Sequence, residues 1–296
     1  MAINLKTFAK DLTYQANTSV RQIFKDLKEL AEIKQLAEQK AAYLASSFGC
    51  GVVLLIIFAI LVFFFALTSF LETGTTFGFI MFVILMIPII FFAVKLSYYN
   101  KLKLRDYRYE LPKKILSMVN RDRTPNSKVK IRIHFTPAGK MGKKIQTLRH
   151  PSKRVGKLDI FEDQWLTLEG KFLDSTNFFL TVTEFNRRAY GFNANGKWKS
   201  KDKPKGIEIN LKLSFPRKKY GSIHVIQKAA PEAVKLPEDV NLKRMKVTPK
   251  AFDLTVKTPN YFNQKEMYQT ITMMFLSLYQ ILNFAKMLSR KRQKLS

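Results

Sequence analysis

The segment Lys197-Trp198-Lys199-Ser200-Lys201-Asp202-Lys203-Pro204-Lys205 carries a lysine at every second position. Side chains on extended backbone alternate between two faces, so this spacing lines the ammonium groups along one of them. Arg187 and Arg188 lie just upstream, and Asn193-Ala194-Asn195-Gly196 is a turn signal that folds the lysine strand back on the arginine strand. Arg217, Lys218 and Lys219 follow the next strand, and a second basic turn runs Gly139-Lys140-Met141-Gly142-Lys143-Lys144. Tyr190, Phe192 and Trp198 are interleaved with these cations. Cations mixed with aromatics suit a phosphate backbone with exposed bases, or a lipid headgroup layer. The candidate polyanion-binding set is therefore Arg187, Arg188, Lys197, Trp198, Lys199, Lys201, Lys203, Lys205, Arg217, Lys218, Lys219, Lys140, Lys143 and Lys144. The plainer alternative is a solvated loop whose charge serves solubility.

Catalytic chemistry lacks its parts. His134, His150 and His224 are the only histidines, widely spaced and with no thiolate nearby, which excludes the familiar zinc patterns. No Gly-x-Ser-x-Gly elbow is present, and the single cysteine, Cys50, sits within an apolar run. Adjacent acids at Glu162-Asp163 and Glu238-Asp239 read as solvated turn residues. The Gly139 turn has the wrong spacing for a P-loop and precedes a strand, not a helix. The expectation is a non-enzyme with no catalytic residue, no metal and no cofactor.

The elements that must position the cations are short strands. Val129, Ile131 and Ile133 alternate with polar residues. Further strand candidates follow at Trp165–Leu168, Phe178–Phe185, Ile207–Phe215, Ile223–Ile226 and Ala251–Val256. Turn signals at Gly139, Gly156, Gly170, Asn195-Gly196, Pro216, Gly221 and Pro249 separate them. Such spacing indicates an antiparallel β-sandwich or open barrel over residues 128–258.

Upstream, two apolar runs dominate. No charged residue lies between Lys40 and Glu72, or between Glu72 and Lys95. Phe48–Leu67 and Phe77–Val94 are each about the length a hydrocarbon core requires of a helix. Only Ser69–Thr76 separates them, so the expected element is a transmembrane hairpin over residues 44–96, with helices near 44–69 and 77–96. Neither run holds Asp, Glu, Lys, Arg or His, which favours an anchor over a transporter. Lys34, Lys40 and a cluster after the second run flank the hairpin, whereas its turn carries Glu72 and no cation. Positive-inside bias then makes this an integral two-pass protein with both termini cytoplasmic. Lys95, Tyr98, Tyr99, Lys101, Lys103, Arg105 and Arg108 are the candidate contacts to anionic lipid headgroups, within a basic linker over residues 97–127. Pro112 marks the start of a short helix there, with Ile115, Leu116 and Val119 as its apolar face.

Two amphipathic helices flank these parts. Residues 1–43 form an N-terminal arm, in which Ser19 and Gln22 make a capping box ahead of the stripe Val20, Ile23, Phe24, Leu27, Leu30 and Ala31. That helix has no Gly or Pro before Gly49 and should run unbroken into the first apolar run. Residues 259–296 carry Met267, Ile271, Met274, Phe275, Leu278, Ile281, Leu282, Ala285 and Leu288 at helical spacing, then a basic tail. A buried or surface helix is favoured over a third crossing, which would export Arg290, Lys291, Arg292 and Lys294.

The formal net charge is +29, and residues 1–99 hold 8 Lys+Arg against 6 Asp+Glu, leaving +27 on the remainder. A field of that sign favours a polyanionic partner. The whole reads as an α+β membrane protein whose basic cytoplasmic domain tethers a polyanion, either anionic lipid or nucleic acid. The alternative is a structural subunit, assembling as a homo-oligomer or with other membrane subunits through its N- and C-terminal amphipathic helices.

Overall fold

The computed structural model describes residues 5–68, 87, 90–125, 127–139, 143–149, 155–192, 196–221, 223–258 and 263–295. The chain divides into two compact units, one of residues 28–104 and one of residues 1–27 with 105–296. The element order is α1 (Leu5–Asp11), β1 (Thr13–Ser19), α2 (Val20–Thr68), α3 (Tyr107–Val119), β2 (Lys128–His134), β3 (Lys144–Arg149), β4 (Val155–Lys171) and β5 (Asn177–Phe192). There follow β6 (Trp198–Ser214), α4 (Arg217–Tyr220), β7 (Asn241–Thr248), β8 (Ala251–Thr258) and α5 (Gln264–Leu295).

All eight strands belong to one antiparallel sheet in the order β1-β2-β4-β5-β6-β8-β7, with β3 also paired to β4. The sequence pattern led to two facing sheets or an open barrel. Among the described residues the strands instead follow one path ending at β1 and β7, and the second layer is helical. Three rows of side chains in register explain why. Tyr14, Ile133, Leu166, Val182, Ile209 and Val256 line up across the sheet, as do Ile131, Leu168, Leu180, Leu211 and Leu254. Phe178, Leu213 and Phe252 form the third, and all of these residues are buried. Alternation thus makes one apolar face that helices must cover.

Helices α3 and α5 cover it and pack on each other. Leu111, Ile115, Leu116 and Val119 of α3 are buried, as are Met267, Ile271, Met274, Phe275, Leu278, Ile281, Leu282 and Ala285 of α5. Leu288 is only half-buried. Phe172, Phe178, Phe275 and Tyr279 join the layers through ring contacts of 4.9–6.0 Å between centroids. Gln264–Arg290 of α5 is long and apolar enough to cross a membrane, and 44% of its most apolar stretch is buried inside the protein.

Several local expectations change. Helix α3 begins at Tyr107, so Pro112 lies inside it and removes one backbone hydrogen bond instead of starting the helix. Ile223–Ile226 is a 3₁₀ turn, not a strand. The N-terminal arm is not wholly helical, because Thr13–Ser19 pairs with β2 from Thr13↔His134 to Ser19↔Lys128. The cap of α2 is half of the expected box. Gln22 N–H donates to Ser19 Oγ at 3.4 Å, whereas the Gln22 amide turns to Asp26 at 2.7 Å. Tyr14 also donates to Asp26, at 2.8 Å, tying the edge strand to the first turns of α2.

In the second unit, α2 is continuous through Thr68, and residues 90–101 are helical. Lys40 lies 5.7 Å from the centre of the Tyr99 ring. The turn and most of the second apolar run fall on residues 69–86, 88 and 89, outside the described residues, so a paired transmembrane hairpin is not among the described features.

Truncating the central row tests this packing. Leu211→Ala should lower the unfolding free energy by about 2–5 kcal/mol, as for other buried leucines, read from the denaturation midpoint.

Candidate polyanion-binding face and a buried charge cluster

Beyond its three apolar rows the core face of the sheet turns polar. The next row is Asp163, Glu184 and Ile207, aligned by strand register. Arg108, from the first turn of α3, enters this row with its side chain wholly buried. Its guanidinium donates to Asp163 Oδ2 at 2.8 Å, to Glu184 Oε2 at 2.7 Å, and to the carbonyls of His134 and Thr136 at 2.7 and 2.9 Å. Lys143 donates to Asp163 Oδ1 at 2.5 Å and to Thr136 O at 2.9 Å. Tyr107 donates to Glu184 Oε1 at 2.6 Å, and its ring lies edge-on to Trp165 at 5.5 Å.

The protonation states follow from this geometry. Burial opposes the Arg108 charge, but Glu184, Tyr107 and Asp163 outweigh it and hold the guanidinium charged above its ordinary range. Burial and the Glu184 carboxylate push the Tyr107 phenol up, so it stays a donor at neutral pH. Burial lowers Lys143 despite its bond to Asp163, and burial and Lys143 together lower His134. A cleft of about 310 Å³ opens beside the cluster, lined in part by Arg105, Tyr107, Glu184, Asn186 and Asp202. The groups described here are mutually paired, and the described residues hold no cluster of three or more His, Cys, Asp or Glu able to take a metal.

Further along the same face, Arg188 donates to both oxygens of Asp202, at 2.5 and 2.8 Å, and to Gly139 O at 3.1 Å. A Cβ on Gly139 would sit 2.9 Å from Arg188 Nη2, so the guanidinium fits there because the residue is glycine. At the end of the face Phe192 and Trp198 are direct register partners, with rings 4.9 Å apart and each more than half exposed.

The opposite face of the same ribbon holds the exposed cations. Lys199, Lys201 and Lys203 share it, opposite Gly191, Ala189 and Arg187. All of these lysines and Arg187 are exposed. The register with β5 shifts between Phe185 and Asn186, where Pro204 pairs Asn186 and Gly206 pairs Phe185. Lys205 is the extra residue of that bulge, so it leaves the lysine row. Gly206 has a φ of 133°, a conformation that glycine alone adopts freely.

The expected cations therefore fall into separate places. Arg187, Lys199, Lys201 and Lys203 come together. Lys197 and Trp198 sit at the end of the ribbon, whereas Arg188 is held by Asp202. Lys143 points inward, and Lys144 lies 3.9 Å from Asp159. Lys140 lies outside the described residues. Arg217, Lys218 and Lys219 occupy α4, beyond the far end of β6, and the strand from Lys203 to Ser214 spans roughly 36 Å. Lys219 also donates to Asp174 O at 3.3 Å.

Of the expected headgroup contacts, Lys95, Tyr98, Lys101, Lys103 and Arg105 are exposed and Tyr99 is half-buried. Arg108 is a correction: a wholly buried side chain cannot meet a headgroup. Asp163 is another, being buried on β4 and not in a solvated turn. No protein-family model, curated protein or solved structure matches this chain.

Removing one partner of the buried cluster leaves a charge unpaired. Arg108→Ala should cost about 3–5 kcal/mol of stability, and Asp163→Asn with Glu184→Gln in the same chain should restore part of it. A second test uses pH. The hydrogen bond from Arg188 holds Asp202 below its ordinary range. A depressed carboxylate contributes stability above its unfolded value near 3.9, lost as pH falls through its lower folded value. Protection of the amides across the Arg188–Asp202 pairing, measured relative to their intrinsic exchange rates, should fall below about pH 4, and Arg188→Ala should abolish that acid step.

Proposed function

We propose that this chain is a non-enzymatic, membrane-anchored tether whose basic ribbon of β5 and β6 binds a polyanion. The supporting observation is the outer face that carries Lys199, Lys201, Lys203 and Arg187, all exposed and aligned by register. The row of partners running from Lys203 through Arg187 and Ile160 to Gln146 carries no acid, and neither does the row from Lys201 through Ala189 and Leu158 to Leu148. A linear array of cations at a spacing of about 7 Å suits an extended row of phosphates, on a nucleic-acid backbone or in a headgroup layer.

Anchorage rests on the sequence together with two features of the second unit. Helix α2 continues into the first apolar run without a break. Ile87, Ile90, Phe91 and Val94 are each more than half exposed, which suits a helix facing hydrocarbon better than water. In this reading the two apolar runs form a two-pass hairpin with both termini cytoplasmic. Lys95, Lys101, Lys103 and Arg105 then lie at the headgroup level beside Tyr98 and Tyr99.

The second reading is a structural subunit that assembles through its helices. It draws on Leu276, Phe284 and Met287 of α5 and Leu36 and Tyr43 of α2, large apolar side chains more than half exposed.

The full-length protein, reconstituted in neutral lipid discs, should bind single-stranded RNA, duplex DNA or anionic vesicles with steep salt dependence. Changing Lys199, Lys201, Lys203 and Arg187 to serine should abolish the preference and, for RNA, lower the log–log salt slope by about 3. Weak binding to all three that the serine variant retains would overturn tethering. Discrete oligomers persisting in high salt would then favour assembly.

A further inference from the structure

The distal end of the β5–β6 ribbon has two chemically different faces. Trp198 and Phe192 share the face that continues from the core, and they are 53% and 58% exposed. Lys199, Lys201, Lys203 and Arg187 stand on the other face. Below the aromatic pair on its own side come Tyr190, with Lys157 Nζ 5.3 Å from its ring centre, and then the Arg188–Asp202 pair. Apolar rings therefore form the last register pair of the ribbon, with Lys197 next to Trp198 and further cations set back on both sides.

From this arrangement we infer that the polyanion is an anionic bilayer surface, met end-on by the ribbon, with Trp198 and Phe192 entering the interface. The inference rests on the proposed polyanion contact and names its partner. A single nucleic-acid strand tracking the lysine face would run on the side away from both rings and gain nothing from them. A planar surface approached by the ribbon's end uses both the rings and the lysines nearest them. The rings lie where the interface favours large amphipathic aromatics, and Lys199 and Lys201, one and three residues behind Trp198, sit at phosphate level. Lysine stems are long enough to turn their ammonium groups toward the headgroups from either face.

The chain has two tryptophans, and Trp165 is wholly buried, so Trp198 is an internal reporter. Full-length protein would be reconstituted in bilayers of phosphatidylcholine with phosphatidylserine, with and without brominated acyl chains, alongside Trp198→Phe to isolate the Trp198 emission. Expected is a blue-shifted Trp198 signal that brominated lipid quenches by about half or more. Bilayers of phosphatidylcholine alone, high salt, or serine at Lys199, Lys201, Lys203 and Arg187 should each remove that quenching. Trp198 emission that brominated lipid leaves unchanged would overturn the bilayer. Salt-steep binding of single-stranded RNA that the serine variant loses would then leave polyanion tethering standing, and no such binding would overturn both.

Discussion

The buried guanidinium of Arg108 is the interaction on which the arrangement of the sheet domain depends. It lies where the core face changes from apolar rows to polar ones, and it reaches both the β4 carboxylate Asp163 and the β5 carboxylate Glu184. Its Nη1 donates to the carbonyls of His134 and Thr136 at the end of β2, and its Nε to the Tyr107 hydroxyl. One side chain from α3 thereby joins three adjacent strands. A buried ion pair of this kind is weak evidence for net stability, since desolvating the charges offsets much of their attraction. Its geometry is nevertheless demanding. An apolar helix face alone could slide along the sheet, whereas a fork fixed by two carboxylates and two carbonyls has one place to sit.

That cluster also decides how the positive charge is divided. Arg108, Lys143 and Arg188 face inward and are matched by Asp163, Glu184 and Asp202. The carboxylates near the ribbon are thus largely committed to the core side. Lys199, Lys201, Lys203 and Arg187 are left on the outer face, where their rows contain no acid. The high net charge of the chain is consequently not a uniform field. Part of it holds the fold together, and part is displayed.

Much of this was legible in the residues, and the failures have physical causes. Alternation of apolar residues located β2, β5 and β8, and the helical stripe of α5 was readable almost residue by residue, because burial imposes a period on both. The lysines of β6 were correctly placed on extended backbone, but the bulge at Lys205 removed one from the row, and bulges leave little trace in sequence beyond a glycine such as Gly206. Strand β1 was missed because Thr13–Ser19 is polar apart from Tyr14 and Ala16, and an edge strand owes its place to its neighbour. The charge cluster is the part least legible in the sequence. Arg108 reads as one more cation in a basic linker, and Asp163 as a turn acid, because burial of a charge depends on partners distant in the chain. The one available signal was weak: Asp163 stands in a run that alternates with Phe161 and Trp165.

Structural and displayed cations are distinct populations in this fold, and residue-resolved chemical labelling of the native full-length protein distinguishes them. Arginine-directed dicarbonyl and lysine-directed acylating reagents would be followed by mass spectrometry, with and without the bound anion. Arg187 and Lys201 should be modified readily and become protected by the anion, while Arg108 should be modified only on unfolding. Modification of Arg108 at the rate of Arg187 in the native protein, or anion binding that leaves Arg187 and Lys201 as reactive as before, would show a single population of cations.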